Sequence, residues 1–288
     1  MNLFQEFEER KIDYDKVWRT CRNKSTNHEK VDVSIIIPVH GRTQFNHIIS
    51  DAFAEAIKNI DKKVSLTIVE HSKEPEHESL CRDWVNYIWI PQGEDRFNKC
   101  LCFNMGVLLS VMADYYLFHD GDILVQESFF IDLMKNMEGY DAVQSFARQR
   151  LIHCEPFITN QILNKEIEIE KLQIGYPGCK AAQPGAEGGS IFCKKELIEQ
   201  GCIFPDWGFD EYSVEDSFFF RSLQLIGKVG FCNDPEINLF HLWHSPSFSR
   251  QTKKCDWDRY YAFMAMNEEG KRHLIKLQSE HFNKYYAS

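Results

Sequence analysis

The stretch Asp114–Gln126, DYYLFHDGDILVQ, carries an apolar run into two aspartates, Asp120 and Asp122, separated by one glycine. Tyr115 to Phe118 read as a buried strand. Alternate residues of a strand share a face, so a strand ending in Asp-Gly-Asp aims two carboxylates the same way. Hard cations such as Mg²⁺ and Mn²⁺ favour oxygen ligands of this kind and keep positions open for substrate phosphates. The competing reading is a polar turn after a core strand, with Gly121 at positive φ and the aspartates capping it. Asp-x-Asp is too short a pattern to choose between them.

Upstream, Val31–Val39 (VDVSIIIPV) is a β-branched run that predicts a central buried strand ending in a turn, HGRTQF. Phe45–Ile60 carries apolar residues at helical spacing, and Val64–Val69 is a second strand ending in Glu70-His71. Tyr87–Pro91 predicts a third strand. Phe97–Ala113 carries the helical stripe Leu101, Met105, Leu108, Leu109 and Met112. Strand and helix in alternation predict an open, mainly parallel α/β sheet with helices on both faces. Ligands of such sheets bind beyond the carboxyl ends of the strands. Pro38-Val39-His40, Glu70-His71 and Asp120-Gly121-Asp122 all fall there.

Downstream, Ser128–Met137 reads as a helix, Tyr140–Phe146 as a strand and Lys194–Gln200 as a short helix closed by Gly201. Leu151–Glu187 is hard to read. Within it NKEIEIEKL, Asn164–Leu172, predicts a charged helix or an edge strand, and the Gly- and Pro-rich remainder a loop that shapes an acceptor pocket. In Trp207–Leu223 (WGFDEYSVEDSFFFRSL) the pair Glu215-Asp216 opens an apolar helical run. Ser213 to Asp216 also fits a helix cap, with Asp216 satisfying backbone donors. His241 and His244 can share a metal if the chain turns between them, whereas an extended strand would point them apart. Asn2–Lys30 predicts one or two helices packed on the body, and Asp256–Tyr286 a helical, aromatic-rich tail. The expected organisation is therefore an N-terminal helical extension (1–30), an α/β domain (31–250) that the resemblance described below makes the catalytic one, and a C-terminal helical tail (251–288).

The 288 residues suffice for one large core. The 33 basic against 43 acidic residues, a net charge of -10, argue against nucleic acid as a partner. A metal-bound nucleotide stays compatible, because the cation neutralises the diphosphate. Ten cysteines without a CxxC pair predict free thiols in a reducing compartment. The acidic start MNLFQEFEERK lacks the features of a signal peptide, and no run has the length of a transmembrane segment, so the expected location is cytoplasmic, at most peripheral to the inner membrane face.

Six motifs in order resemble the beta-1,4-galactosyltransferase and polypeptide N-acetylgalactosaminyltransferase group of GT-A glycosyltransferases, over about residues 31 to 250. IIIPVHGR is similar to the family's first strand and nucleotide turn. Phe97-Asn98-Lys99 with Asn104-Met105-Gly106 resembles its FNR…NVG helix, and Asp120-Gly121-Asp122 stands at its Asp-x-Asp. Gly188-Gly189-Ser190 resembles the GG segment, Tyr212 to Asp216 the WGGED segment, and His244-Ser245 the metal-binding His-Ser. Tyr-Ser-Val replaces Trp-Gly-Gly before Glu215-Asp216, His40 replaces an arginine, and His241 replaces a methionine.

The resemblance implies a GT-A, nucleotide-diphospho-sugar transferase fold and a metal-dependent, inverting hexosyltransferase. Its donor is expected to be a UDP-sugar of galactose, N-acetylgalactosamine or glucose type, its acceptor a glycan or glycolipid hydroxyl. Asp122 and His244, with His241 as a further candidate, are expected to ligate Mn²⁺ or Mg²⁺. Asp120 is expected at the ribose or on a metal-bound water. Asp216 is the expected base, with Glu215 its near rival. Pro38, Val39, His40 and Arg42 are expected to line the nucleotide turn with Phe97, Lys99, Gly188 and Gly189, Glu70 to reach the nucleobase, and Tyr212 to stack on a sugar. Two rivals remain at this point. A nucleotidyltransferase would want a glycine-rich, lysine-bearing phosphate loop, and PVHGRTQF has one glycine and no lysine. An inactive carbohydrate-binding protein would have no use for a base.

Overall fold

The computed structural model describes residues 1–24, 29–93, 97–146, 151–181, 188–209, 214–232, 237–245 and 254–286. Tyr212, the expected sugar-stacking residue, lies outside the described residues. Along the chain run α1 (Leu3–Arg10), α2 (Tyr14–Thr20), β1 (Arg22–Lys24), β2 (Val31–Val39), α3 (Thr43–Ala56), β3 (Val64–Ser72), β4 (Val85–Pro91), α4 (Lys99–Leu109) and β5 (Ala113–His119). Then come β6 (Ile123–Leu124), α5 (Phe129–Asn136), β7 (Ala142–Gln144), β8 (Leu151–Cys154), α6 (Pro156–Leu163), β9 (Cys179–Ala181), β10 (Ser190–Lys194) and α7 (Lys195–Glu199). α8 (Glu215–Ile226), β11 (Val229–Phe231), β12 (Leu239–His241), α9 (Lys254–Ala265) and α10 (Glu268–Tyr286) complete the order.

The main sheet has the order β1-β4-β3-β2-β5-β10-β7-β11. β4, β3, β2 and β5 are mutually parallel, as the alternation of strand and helix predicts, while β1 and β10 join antiparallel. β2 is buried along nearly its whole length because both of its faces are covered. Val33, Ile35, Ile37 and Val39 enter one apolar core with Phe45, Ile49 and Phe53 of α3, while Val31 and Ile36 enter the other with Met105 of α4 and Phe219 of α8. Leu3, Phe7, Tyr14 and Phe282 belong to that second core, so both ends of the chain pack on the face carrying α4 and α8. Among the described residues no helix is long and apolar enough to cross a membrane.

Gly106 shows how tightly α4 is pressed to the sheet. A Cβ there would stand 2.3 Å from Ile36 Cγ2 and 3.2 Å from Val69 Cγ2, both buried. Gly106→Ala gains helix propensity of about 1 kcal/mol, but overpacking costs about 1–3 kcal/mol. We expect a net loss of about 1 kcal/mol in urea unfolding; an unchanged midpoint would mean that α4 can lift off β2 freely.

A second, smaller sheet of order β6-β12-β8-β9 forms at the end of β5. It draws on the region 151–187 that the sequence pattern leaves unread. Asn164–Leu172, expected as helix or edge strand, forms neither: it holds a single 3-10 turn at Ile169–Lys171. Ile167, Ile169 and the buried Leu172 are anchored on the core at uneven intervals, which suits a turn and not a regular element.

Candidate active site

The strand ends converge as the parallel order requires, and the small sheet supplies the rest. β6 follows Asp122 directly and pairs with β12, placing Ile123 opposite His241, while Leu242 N donates to Asp122 O at 2.8 Å. Backbone pairing thus fixes Asp122 beside the histidine segment. On the other side, β10 pairs with β5, and Asp120 N donates to Gly189 O at 2.8 Å. Gly121 makes the crowded turn possible, since a Cβ there would lie 3.0 Å from Pro38 O. The turn is braced by His119, which the sequence reading did not select. Its Nε2 donates to Ile123 O at 2.9 Å, so Nδ1 accepts from Ser190 Oγ at 2.9 Å. Burial pushes His119 down to about 4, which keeps it neutral in that role.

Two charge clusters result. In the first, Asp122, His241 and His244 offer ligand atoms that all lie within 4.8 Å of one another. His244 Nε2 stands 3.0 Å from Asp122 Oδ2, His241 Nε2 3.8 Å from Oδ1, and Arg42 Nη1 donates to Oδ2 at 3.0 Å. β12 ends at His241, and the extended chain beyond it turns so that His244 comes back to the same carboxylate. Burial alone would raise Asp122; His241, His244 and Arg42 outweigh it and hold the carboxyl well below its usual range. His244 Nδ1 is 3.0 Å from the carbonyl of Ser245, which only accepts, so Nδ1 carries a proton. Its Nε2 faces the carboxylate oxygen at 3.0 Å, a pairing that is bridged by a proton when the ring is an imidazolium and by a cation when it is neutral. The donor set therefore fits a divalent cation.

The second cluster centres on Lys99, the first residue of α4. Its Nζ is 3.0 Å from Asp120 Oδ1, 2.9 Å from Asp216 Oδ2 and 3.4 Å from Glu215 Oε1. Burial disfavours the ammonium, but the three carboxylates prevail and raise its pKa well above the ordinary lysine value. Burial pushes Asp120 up to about 6, against Lys99 and with Asp122. Burial likewise raises Asp216, with Lys99 opposing. Asp216 faces Lys99 instead of capping its helix: α8 begins after Val214, with no side-chain cap from that residue. Its carboxylate is received by the glycine pair, since a Cβ on Gly188, at φ +95, would fall 2.2 Å from Asp216 Oδ2. Glu215 is 1 % exposed and Asp216 18 %, so of the two only Asp216 presents a carboxylate to the cleft.

Pro38 and Val39 end β2 beside this cleft. His40 Nδ1 donates to His71 O at 2.8 Å, and Phe97 lies against both imidazoles, with ring centres 5.4 and 6.3 Å away. Gly41 and Arg42 take left-handed backbone, φ +62 and +57, to turn the chain into α3. Glu70 is a correction to the sequence expectation. It is fully buried and accepts from Ser72 Oγ (2.5 Å), Tyr87 OH (2.5 Å) and the backbone N of Glu76 and His77 (3.0 Å each). Burial opposes its charge, yet His77, Ser72 and Tyr87 pull it down to about 2. It anchors the loop after β3 and does not face a ligand. Asn104 is internal too, donating from Nδ2 to Phe204 O and Asp206 Oδ2 at 2.9 Å. Another residue that sequence reasoning missed is His153, paired with His241 across β8 and β12. Only the strand register between remote segments identifies it.

No family profile and no curated protein matches the sequence. Solved structures do match. The mannosyltransferase PcManGT from Pyrobaculum calidifontis, in complex with GDP-Man and Mn²⁺, superposes with a TM-score of 0.52 at 14% identity, over 99% of this chain and 79% of that one. Staphylococcus aureus TarS 1–349 with UDP-GlcNAc gives 0.51 at 12% identity, over 88% and 73%. A mutant of Drosophila beta-1,4-galactosyltransferase 7 with manganese, UDP-Gal and xylobiose gives 0.50 at 14%, over 81% and 79%. The mainly parallel sheet, its antiparallel strand beyond β5 and the helices on both faces are those of the GT-A glycosyltransferase fold.

Proposed function

We propose that the protein is a metal-dependent, inverting glycosyltransferase that moves a hexose from a UDP-sugar to a hydroxyl of a glycan or glycolipid. The observation that supports this reading most is the placement of two distinct clusters at one end of the sheet. One is a carboxylate-imidazole set fit for a cation; the other is a carboxylate held beside an ammonium. Solved neighbours of the same fold hold Mn²⁺ with GDP-Man, or manganese with UDP-Gal and xylobiose.

Each residue then has a task. Asp122, His241 and His244 would hold the ion, which when bound supplies positive charge to the departing diphosphate. Pro38, Val39, His40, Arg42 and Phe97 line the nucleotide turn, and Asp120 serves the ribose. Asp216 accepts the proton of the acceptor hydroxyl as that oxygen attacks the anomeric carbon opposite the diphosphate, which inverts the centre. Its raised pKa strengthens it as a base, while Lys99 and the Gly188-Gly189 cradle fix where the carboxylate stands. Tyr212 is assigned to the sugar face, and residues 31–250 to the catalytic domain.

Calorimetric titration with a panel of nucleoside diphosphate sugars, with Mn²⁺ and again with chelator, tests the reading. One UDP-sugar should bind, and only with metal. His244→Ala should weaken that binding at least about tenfold in the presence of metal and leave the chelator titration unchanged. Binding of a nucleoside triphosphate or a free glycan in place of every nucleotide sugar would overturn the donor assignment.

A further inference from the structure

The imidazole pair at Asp122 has a third member. His153 in β8 is the direct register partner of His241 in β12, and residues directly opposite in neighbouring strands project from the same face. The two rings meet with centres 4.9 Å apart, closer than the 5.6 Å between His241 and His244. Two imidazoles that share one ion at about 2.1 Å place their ring centres on the order of 5 Å apart. Both separations have this size. His153 is exposed, and its ring nitrogens have no hydrogen-bond partner among the described residues, so a donor atom is available without breaking an internal contact.

We propose that His153 is a fourth protein donor to the cation, and that it turns the site toward transition-metal dications and away from Mg²⁺. This rests on the reading of Asp122, His241 and His244 as a metal site. One carboxylate with water suits Mg²⁺, whereas imidazoles suit the later first-row dications and raise affinity along the series from Mn²⁺ to Co²⁺. Three imidazoles around Asp122 make a donor set that a hard, oxygen-preferring ion matches poorly. The ring nitrogens of His153 lie outside the set of ligand atoms within 4.8 Å of one another, so its side chain must rotate to reach the ion; the pairing of β8 and β12 already sets it beside His241.

The test titrates Co²⁺ and, separately, Mg²⁺ into the whole protein without nucleotide, following Co²⁺ by its visible absorption and both ions by calorimetry. His153→Phe keeps an aromatic ring against His241 and removes the donor; His153→Thr, another strand-favouring residue, guards against a packing effect. Both variants should lose at least about tenfold in Co²⁺ affinity with an altered absorption band, while Mg²⁺ affinity stays as in the wild type. Co²⁺ affinity and spectrum unchanged in both variants would overturn the role of His153. Asp122→Asn separates the underlying reading: undiminished Co²⁺ binding in that variant would overturn the metal site itself.

Discussion

Asp216→Asn should lower turnover at least about 100-fold, the usual scale for a general base, while metal-dependent nucleotide binding stays close to the wild type. Asparagine keeps the shape and still accepts from Lys99, which lies 2.9 Å from Asp216 Oδ2. It cannot take a proton from the acceptor. Glu215→Gln should cost far less in rate, because Glu215 is 1 % exposed and cannot meet an acceptor. A pH profile separates the base from a merely positioning carboxylate. Burial raises Asp216 above the ordinary aspartate range, so the rate should fall on acidification at a pH above that range, where the base becomes protonated. That acidic limb should vanish in Asp216→Asn. The measurement is release of nucleoside diphosphate with the donor identified by titration; undiminished turnover would leave Asp216 as a partner of Lys99 alone.

The sequence reaches some of this site more readily than the rest, for physical reasons. VDVSIIIPV and YYLFH are strand-length, largely buried runs, the second ending just before Asp120-Gly121-Asp122, so strand position and strand end can both be read from local pattern. Glu70 was placed at the right strand end but given the wrong direction. The strand runs two residues further, to Ser72, and Tyr87 and the loop at Glu76 and His77 close over the carboxylate. A local pattern carries no information on that closure. The same limit hides His153 and the small sheet, whose strands of two to four residues are too short for a periodic signal and owe their order to pairing between distant segments. Lys99 was visible as part of a motif, but its three carboxylate partners come from β5's end and α8, more than twenty residues away in every case.

That convergence makes Lys99→Met the substitution expected to cost most in stability, about 3–5 kcal/mol in urea unfolding near neutral pH. Methionine fills the aliphatic volume, so the loss is electrostatic. The Lys99 side chain is 12 % exposed and its Nζ lies within 3.4 Å of Asp120, Glu215 and Asp216; without it three carboxylates share one poorly solvated pocket. The pH dependence gives the sign. Burial already raises Asp120 to about 6 and raises Asp216 with Lys99 present, and removing the opposing cation pushes both further up. An acid whose folded pKa exceeds its unfolded value of about 4 binds more protons in the folded state, so stability falls as pH rises through that window. The deficit of Lys99→Met against the wild type should therefore be small at about pH 5 and grow toward about pH 8. Lys99→Arg should recover most of the stability, because the charge is restored, yet turnover should stay depressed, since a planar guanidinium cannot reproduce three contacts converging on one nitrogen. Equal urea midpoints for Lys99→Met and the wild type at about pH 8 would mean that the carboxylates do not depend on Lys99 for their charge, and the assignment of Lys99 as the residue that keeps Asp216 ionised and in place would fall with it.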